Sequence, residues 1–269
     1  MTIDQKENKT VDQIEEDWSG LGLSHFPLMY EAIGTNPENW FMSPAEKMVI
    51  MTLVGNLKPK LAIEIGTRDG GCLTVISRFA EKVYSIDIDP KVAQRLHDRF
   101  NNVEFLTGPS RDILPPLLTK LADEKQELGF VLVDGDHSAE GVRTDIDILL
   151  KYTPCVPLYI FMHDSMNPDC RSGMRAADWA SNPYVHAVEL DLVGGILTPV
   201  PRLYGQAWEG LALAIMKPVK RNGPLTITAR GELMVQCALA QQRRARSIPR
   251  RALRKIKRLF KVAHYPPFS

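Results

Sequence analysis

Short apolar runs recur through the middle of the chain, and the stretches between them are long enough to form helices. Five of these runs have the length and composition of strands: Leu61 to Ile65, Lys82 to Ile86, Val103 to Leu106, Phe130 to Val133 and Leu158 to Met162. Strands that alternate with helices form βαβ units, and the resulting parallel sheet is buried on both faces. The pattern therefore predicts an α/β fold with a mostly parallel sheet.

A helix is predicted directly before the first of these strands. Residues 43–46, Ser-Pro-Ala-Glu, have the form of a capping box with proline at the first helical position. Apolar residues then follow on one helical face, and Gly55-Asn56 is expected to end the helix. Near the other end of the domain, the apolar runs Val185 to Leu192 and Leu211 to Met216 are expected to pair as antiparallel strands at one edge of the sheet.

The composition is that of a globular protein, with 44% hydrophobic and 24% charged residues among 269. The net charge of +1 conceals an acidic N-terminal end and a basic C-terminal end. We expect an acidic lead or lid over residues 1–39, partly helical, the α/β domain over 40–220, and an extension over 221–269. The first twenty residues do not resemble a signal peptide, and no apolar stretch approaches the roughly 18 residues of a membrane span. These features predict a cytoplasmic protein.

The four cysteines are scattered along the chain, with no CxxC pair and no histidine at zinc-finger spacing. We therefore expect reduced thiols at Cys72, Cys155, Cys170 and Cys237, and neither a disulfide framework nor a structural zinc site.

A glycine-rich loop follows the first predicted strand. Gly66, Gly70 and Gly71 allow a tight turn and a close approach of the backbone to a ligand, although turn glycines alone would look the same. About twenty residues later the second strand ends in Asp87, where a carboxylate can accept hydrogen bonds from ribose hydroxyls. Asp89 is the alternative, but Asp87 is favoured because it lies directly at the strand end. The spacing differs from the dinucleotide pattern G-x-G-x-x-G, which disfavours an NAD or FAD enzyme.

Four motifs resemble the class I S-adenosylmethionine-dependent methyltransferases, especially methyltransferase family 24. They are E-I-G-T-R-D-G-G, V-Y-S-I-D-I-D-P, V-D-G-D-H-S-A-E-G-V-R-T-D and F-M-H-D-S, and the resemblance covers residues 60 to about 175. The wider set includes catechol O-methyltransferase and the macrolide and aminocoumarin sugar O-methyltransferases. The resemblance implies a doubly wound, Rossmann-like sheet of seven strands with an antiparallel edge strand, and S-adenosyl-L-methionine as cofactor.

The resemblance also implies a set of cofactor-binding residues. The stretch that follows the third strand, T-G-P-S-R-D-I-L-P over residues 107–115, is similar to the one that contacts the adenine in that set. An ordinary β-to-α turn is the alternative for this stretch. The expected cofactor residues are Glu64, Gly66, Thr67, Gly70, Asp87, Gly108, Ser110, Arg111 and Asp134.

The resemblance places Asp134 and Asp164 at the ends of neighbouring strands. Ligands of open α/β sheets bind at that edge, so we expect one small volume to be surrounded by Asp134, Asp136, His137, His163 and Asp164. Carboxylates crowded at one sheet edge need a compensating cation or proton, and oxygen ligands suit Mg²⁺. We therefore expect these two residues to bind a magnesium ion. One departure weakens this expectation, because Ser165 stands where the sugar-methylating relatives carry a second carboxylate or an asparagine.

A hydroxyl acceptor also needs a base. By resemblance Asp136 is the first candidate, His137 the second because imidazole titrates near neutrality, and His163 the third. Each has a structural alternative: Asp134 or, better, Asp136 could cap the helix predicted from Ser138 to Tyr152, and the histidines could be packed imidazoles.

The predicted function is methyl transfer to a hydroxyl of a sugar or other small molecule or glycan. Two alternatives remain open: an enzyme of the same fold with different chemistry, as in the cephalosporin hydroxylases, and a non-catalytic binding or scaffold protein. An N- or C-methyltransferase is also compatible with the cofactor half of the fold. The acceptor and the oligomeric state, including a homo-oligomer, stay open.

The C-terminal end carries ten lysines and arginines and no acid between Gln241 and Lys261. Beyond Pro249, apolar residues recur at helical spacing among these cations, which is typical of a basic amphipathic helix on a membrane surface. We therefore expect a peripheral contact with anionic membrane through residues 243–261. Nucleic acid is less favoured, because no aromatic residues interleave the charges. A solvated face, or a helix packed on an acidic part of the chain, is the alternative.

Overall fold

The computed structural model describes residues 40–198 and 205–247, with side chains up to Gln241. The expected N-terminal lead and the basic residues from 248 onward lie outside the described residues. Within the described part of the chain, no helix combines the length and the apolar character that crossing a membrane requires.

The chain divides within its fourth strand, between Val131 and Leu132, into two compact units. The elements up to that strand alternate regularly between helix and strand. In chain order they are α1 (Pro44–Leu57), β1 (Leu61–Ile65), α2 (Gly71–Phe79), β2 (Lys82–Asp87), α3 (Pro90–Leu96), a 3₁₀ turn (His97–Arg99), β3 (Val103–Thr107), α4 (Ser110–Asp123) and β4 (Leu128–Val133).

The second unit continues the alternation and then adds a series of strands and a final helix. In chain order its elements are α5 (Ala139–Leu149), β5 (Leu158–His163), α6 (Pro168–Ala176), a 3₁₀ turn (Trp179–Ser181), β6 (Val185–Val193), β7 (Ile196–Leu197), β8 (Ala207–Trp208), β9 (Leu211–Met216), β10 (Thr226–Thr228) and α7 (Glu232–Ser247).

The strands confirm the predicted α/β class and a mostly parallel sheet. The main sheet has the order β10-β6-β9-β5-β4-β1-β2-β3, and β7 and β8 form a separate hairpin. In the first unit β2 is paired in parallel with both β1 and β3. The central strands β1, β4 and β5 are buried along almost their whole length, as expected for a sheet covered on both faces.

The expected count of seven strands is wrong, because the described residues alone give the main sheet eight strands. The additional strand, β10, pairs in parallel with β6 through only three residues, Thr-Ile-Thr, and so short a segment has no detectable alternation. The expected antiparallel pair does form between β6 and β9. It does not lie at the edge, because β9 also pairs with β5 and β10 covers the other side of β6. Thus the sheet extends past residue 220, and the boundary predicted there stays a prediction.

Helix α1 confirms its predicted start and corrects its predicted end. Both halves of the capping box are present, since the amide of Ser43 donates to Glu46 and the amide of Glu46 donates to the Ser43 hydroxyl. The helix runs through Gly55 and ends at Leu57, with Lys58 in the left-handed conformation. Gly55 lies beside the Phe79 ring, where a Cβ would be in ordinary van der Waals contact at 3.5 Å.

The segment before β6 is fixed by the buried side chain of Asn182. Its amide nitrogen donates to the carbonyl oxygens of Leu150 and Tyr152 at 2.7 and 3.0 Å, and its amide oxygen accepts from the Tyr184 backbone at 2.7 Å. Asn182 therefore joins the end of α5 to the start of β6.

We expect Asn182→Ala to lower the free energy of unfolding by about 2 to 3 kcal/mol, because it leaves buried carbonyl groups without donors. Urea denaturation followed by circular dichroism measures the change. The exposed Asn101, which makes no comparable contact, provides the control Asn101→Ala, for which a change within about 0.5 kcal/mol is expected. Equal effects of the two substitutions would contradict this role of Asn182.

Candidate functional site

The carboxylate of Asp87 organises the glycine loop, residues 66–71. It stands at the end of β2, and its Oδ2 accepts the backbone N–H groups of Thr67 and Arg68, both at 2.9 Å. Its Oδ1 accepts from the amide of Asp89 at 2.9 Å, and its carbonyl oxygen accepts from the amide of Gly108 at 3.0 Å. Hydrogen bonds to an ionised acceptor are the stronger kind. Asp87 thus joins the first glycine loop to the turn after β3.

Two glycines of this loop cannot be replaced without strain. Gly70 has φ +77°, and a Cβ there would lie 2.9 Å from the Leu96 side chain. A Cβ on Gly71 would lie 2.5 Å from the Cα of Trp40, so the backbone of residue 40 packs directly on the start of α2. Arg95 adds a tie from α3, since its guanidinium donates to the carbonyl of Arg68 at 2.7 Å. The loop is therefore held in one shape by its neighbours.

The structure brings together most of the cofactor residues expected in the first unit. Thr67, Asp87 and Gly108 are linked directly by the hydrogen bonds of Asp87, and Gly66 and Gly70 belong to the same loop. Glu64 lies buried within β1, Ser110 begins α4 and is half-buried, and Arg111 is exposed. Contacts of these residues with a cofactor stay predictions.

The two carboxylates at the end of β2 have different contacts in the structure, although ribose binding by Asp87 stays a prediction. Asp89 is the N-cap of α3, with its Oδ1 accepting from the amide of Lys91 at 2.9 Å. Asp89 therefore has a helix-capping role, whereas Asp87 faces the glycine loop.

In the second unit, strands β4 and β5 each end in an aspartate with histidine close by. Asp134 Oδ1 lies 2.9 Å from His163 Nδ1 and 3.3 Å from His137 Nε2. Asp164 Oδ2 lies 3.3 Å from His137 Nδ1 and 3.6 Å from His163 Nδ1. We call these four residues the His-Asp cluster. Four of the five residues expected to surround one volume therefore lie together, and the fifth, Asp136, does not contact them.

Asp164 is fixed by the chain that enters β9. Its backbone has φ +56°, and its Oδ1 accepts the amide of Glu209 at 2.6 Å. The amides of Ser165 and Met166 donate back to the carbonyls of Gly210 and Glu209 at 3.1 and 3.0 Å. These bonds hold the turn after β5 in place, and they leave Oδ2 as the carboxylate oxygen that faces the histidines.

His137 is the accessible member of the cluster. Its side chain is 39% exposed, against 7% for His163 and 4% for Asp164. The two nitrogens of its ring face different carboxylates, Nε2 toward Asp134 and Nδ1 toward Asp164. The Trp208 ring of β8 lies beside it, with 6.0 Å between ring centroids.

The charges of the cluster shift its pKa values in opposite directions. Burial would raise the pKa of Asp134, but the two imidazoles outweigh it and lower that pKa to about 2. Burial raises the pKa of Asp164, and the negative charge of Asp134 adds to the rise. The hydrogen bond with Asp134 raises the pKa of His137 above its ordinary 6.5. Asp134 is therefore the firmly ionised group of the cluster.

The expected magnesium site does not fit this donor set well. Two overlapping triads have ligand atoms within 4.8 Å of one another, namely Asp134, His163 and Asp164, and His137, Asp164 and Cys170. Each triad contains an imidazole, whereas Mg²⁺ prefers oxygen ligands and keeps several waters. One oxygen of Asp164 is already taken by the Glu209 amide. Burial also raises the pKa of the Cys170 thiol far above its usual range, so the thiol stays protonated. The donor set therefore does not suit a catalytic Mg²⁺ ion.

Asp136 lies outside the cluster contacts. Its side chain is exposed, and its Oδ1 accepts from the amide of Ser138 at 2.9 Å. The structural alternative, in which an aspartate caps α5, does not hold, because Ser138 is the N-cap and its hydroxyl accepts from the amide of Gly141. The catalytic role expected for Asp136 stays a prediction.

Sequence reasoning missed the residues that complete the cluster from later parts of the chain. Trp208 and Glu209 lie more than forty residues beyond Asp164 and belong to no motif of the resemblance. Their only sequence signal is their position just before the predicted strand that starts at Leu211.

Comparison with known proteins gives a match to a domain family over part of the chain, and a fold. Residues 63–165 match the family described as a methyltransferase domain. The ribosomal RNA small subunit methyltransferase A of Acidobacterium capsulatum is 31% identical over 91 residues, which are 34% of this chain and 32% of that protein. The chain thus matches about a third of the length of this curated relative.

Among solved structures, the O-methyltransferase from Bacillus cereus in complex with SAH is 18% identical. It has a TM-score of 0.50, and the match covers 76% of this chain and 97% of that one. The O-methyltransferase TomG from Streptomyces achromogenes, in complex with SAM, is 17% identical with a TM-score of 0.48, covering 76% and 96%. At 18% identity, the likeness to the Bacillus cereus enzyme shows a shared fold. Residues 63–165, which contain the glycine loop, Asp87 and the His-Asp cluster, match the class I S-adenosylmethionine-dependent methyltransferases of the methyltransferase family 24 type.

Proposed function

We propose that the protein is an S-adenosylmethionine-dependent O-methyltransferase. One observation carries the proposal: the His-Asp cluster lies within the matched domain, at the ends of β4 and β5, and offers an accessible imidazole beside ionised carboxylate. An acceptor hydroxyl needs such a group, because it is a poor nucleophile until its proton is removed.

We propose that S-adenosylmethionine binds to the first unit, which contains the glycine loop and Asp87. Asp87 already holds the glycine loop through Oδ2, and a carboxylate at this position can also accept from both ribose hydroxyls. The S-adenosyl compounds bound by the two O-methyltransferases of similar fold agree with this assignment.

The acceptor is proposed to be a hydroxyl of a sugar, or of another small molecule or glycan. Trp208 favours an acceptor molecule with an apolar surface next to its hydroxyl. The Trp208 ring lies beside His137, and its N–H donates to the side chain of Gln206 at 3.2 Å. Sugar faces and aromatic rings both pack on such a surface. The name of the Acidobacterium capsulatum relative, a ribosomal RNA methyltransferase, does not indicate the acceptor of this chain, because the match covers only a third of that protein.

Methyl transfer from a sulfonium is an in-line displacement, so the main task is to hold the acceptor oxygen close to the methyl group and collinear with the breaking bond. The cluster contributes proton removal and orientation. The proposed function does not include a magnesium ion, since each candidate metal site contains an imidazole beside the carboxylates.

A second proposal concerns the basic C-terminal end. The ten cations between Gln241 and Lys261 contribute on the order of 1 kcal/mol each near an anionic surface, which supports a peripheral membrane contact. Such a contact would place the enzyme near a lipid-linked or cell-surface sugar acceptor.

Asp87→Asn should weaken S-adenosylmethionine binding by about ten-fold or more, because a charged acceptor of ribose hydroxyls and loop amides becomes a weaker, neutral one. The rise in melting temperature with S-adenosylmethionine or S-adenosylhomocysteine measures it. Asp89→Asn, the matched control, should retain the rise. Stabilisation by NAD and by neither S-adenosyl compound would contradict the methyltransferase proposal.

Asp134→Asn and Asp164→Asn should each reduce methyl transfer at least about a hundred-fold, because they remove charge beside the acceptor hydroxyl. Affinity for S-adenosylmethionine should stay within a few-fold. Transfer of labelled methyl groups to a fractionated host extract measures turnover, and product mass separates methylation from other chemistry. Unchanged labelling by both variants would argue against the cluster as the acceptor side.

A chain that ends at Ser247 keeps all of α7 and removes seven of the ten cations. It should keep cofactor binding and lose most sedimentation with anionic vesicles at low salt, because the attraction is screened over a Debye length. Neutral vesicles serve as the control. A full chain that ignores anionic vesicles would refute the membrane contact.

A further inference from the structure

Two pairs of exposed apolar side chains adjoin in the second unit. One pair is Ile196 and Leu197 of β7, and the other is Leu233 and Met234 in the first turn of α7, which are 75% and 51% exposed. The pairs are neighbours, because a Cβ on Gly194, two residues before β7, would lie 3.3 Å from the Met234 Cε. Single exposed apolar residues are ordinary, whereas adjoining ones mark an interaction surface. We call these four residues the apolar patch.

The apolar patch reaches the His-Asp cluster through Trp208. Ile196 pairs directly with Trp208 across the hairpin, and directly opposed residues share one face of a strand pair. The Trp208 ring in turn has its centroid 6.0 Å from that of His137. Helix α7 is fixed at the same place, because its buried Val235 belongs to one apolar cluster with Met166 in the turn after β5. The patch and the accessible imidazole therefore lie on neighbouring elements.

The charges around the patch suit an anionic partner. The acids beside the start of α7 are already paired, since Arg171 bonds Asp191 at 2.8 Å and Glu232 at 2.7 Å. Arg175 donates to the same Glu232 carboxylate at 2.9 Å. Further along the chain, residues 241–261 carry ten cations and no acid. Apolar side chains next to a cationic run are typical of a surface that binds anionic lipid, because apolar burial and attraction to the headgroups add.

We infer that the apolar patch lies on an anionic lipid bilayer, and that the His-Asp cluster receives its acceptor from that surface. The acceptor is then an amphipathic molecule, whose hydroxyl reaches the cluster past Trp208 while its apolar part stays in the bilayer. The inference rests on the proposed function for the acceptor, and it adds a membrane-contacting surface separate from the basic residues 243–261. A second copy of the chain is a less favourable occupant, because it brings the same excess of cations to the contact.

Cys237 provides a reporter on the patch. It is exposed, and it lies on α7 one helical turn beyond Leu233 and Met234. Cys155 is also exposed, but it precedes β5 whereas the cluster follows β5, so it lies at the opposite end of that strand. The other two cysteines are buried. Each exposed thiol is therefore labelled alone, in a full chain that carries the other one as serine.

A polarity-sensitive fluorophore on Cys237 should shift its emission to shorter wavelength when phosphatidylglycerol vesicles are added, because the patch enters an apolar medium. The same fluorophore on Cys155 should keep its emission unchanged. Labelled methyl groups from S-adenosylmethionine should enter the lipid fraction of a host extract, and incorporation into the aqueous fraction alone would overturn the amphipathic acceptor.

Leu233→Gln combined with Met234→Gln separates the patch from the cationic run. This variant should lose the Cys237 shift and bind the vesicles about ten-fold more weakly, because the binding strength follows the apolar area that is buried. The matched control is Val219→Gln. Val219 is also exposed, but it follows the end of β9 that pairs with the start of β5, so this control should keep both the shift and the binding. Circular dichroism checks that each variant is folded.

An unchanged Cys237 emission in a chain that sediments with the vesicles would overturn the inference, because the basic residues alone would then hold the protein. A shift that appears without vesicles and grows with protein concentration would also overturn it, since it assigns the patch to a second copy. The melting-temperature rise with S-adenosylmethionine is measured in the same samples. Loss of that rise alone refutes the proposed function and leaves the membrane surface standing.

Discussion

Two carboxylates meet at the ends of β4 and β5, and the structure around them depends on how their charge is balanced. Asp134 accepts from two imidazoles, while Asp164 accepts from the backbone amide of Glu209 and faces His137. Without these donors, adjacent carboxylates would repel each other or take up protons. The same balance that stabilises the sheet edge also produces an accessible imidazole beside ionised carboxylate.

Later parts of the chain hold this arrangement in place. The turn after β5 is bonded to Glu209 and Gly210, which precede β9. The buried Arg171 of α6 donates to the Ser165 carbonyl, and it also pairs with Asp191 of β6 at 2.8 Å and with Glu232 of α7 at 2.7 Å. The second unit therefore positions a short segment, Asp164-Ser165, from several strands and helices at once.

The first unit uses the same physical device for a different purpose. Asp87 ends β2 and binds the amides of the glycine loop, so a carboxylate at a strand end again sets the shape of the turn beside it. Here the charge is balanced by backbone N–H groups, and the loop keeps one conformation because Gly70 and Gly71 have no room for a side chain. Rigid turns of this kind preorganise a site before its ligand arrives.

The sequence by itself determined the α/β class, the first five strands, the capping box of α1 and the position of Asp87 at a strand end, because each depends on neighbouring residues. Through the family resemblance it also grouped Asp134, His137, His163 and Asp164, together with Asp136, which the structure leaves outside the cluster. Only the tertiary structure decided that β10 extends the sheet, that Ser138 rather than Asp136 caps α5, and that Glu209 and Trp208 adjoin the cluster. The physical reason is that these features are set by contacts between residues up to about seventy positions apart, or by segments too short to have a pattern.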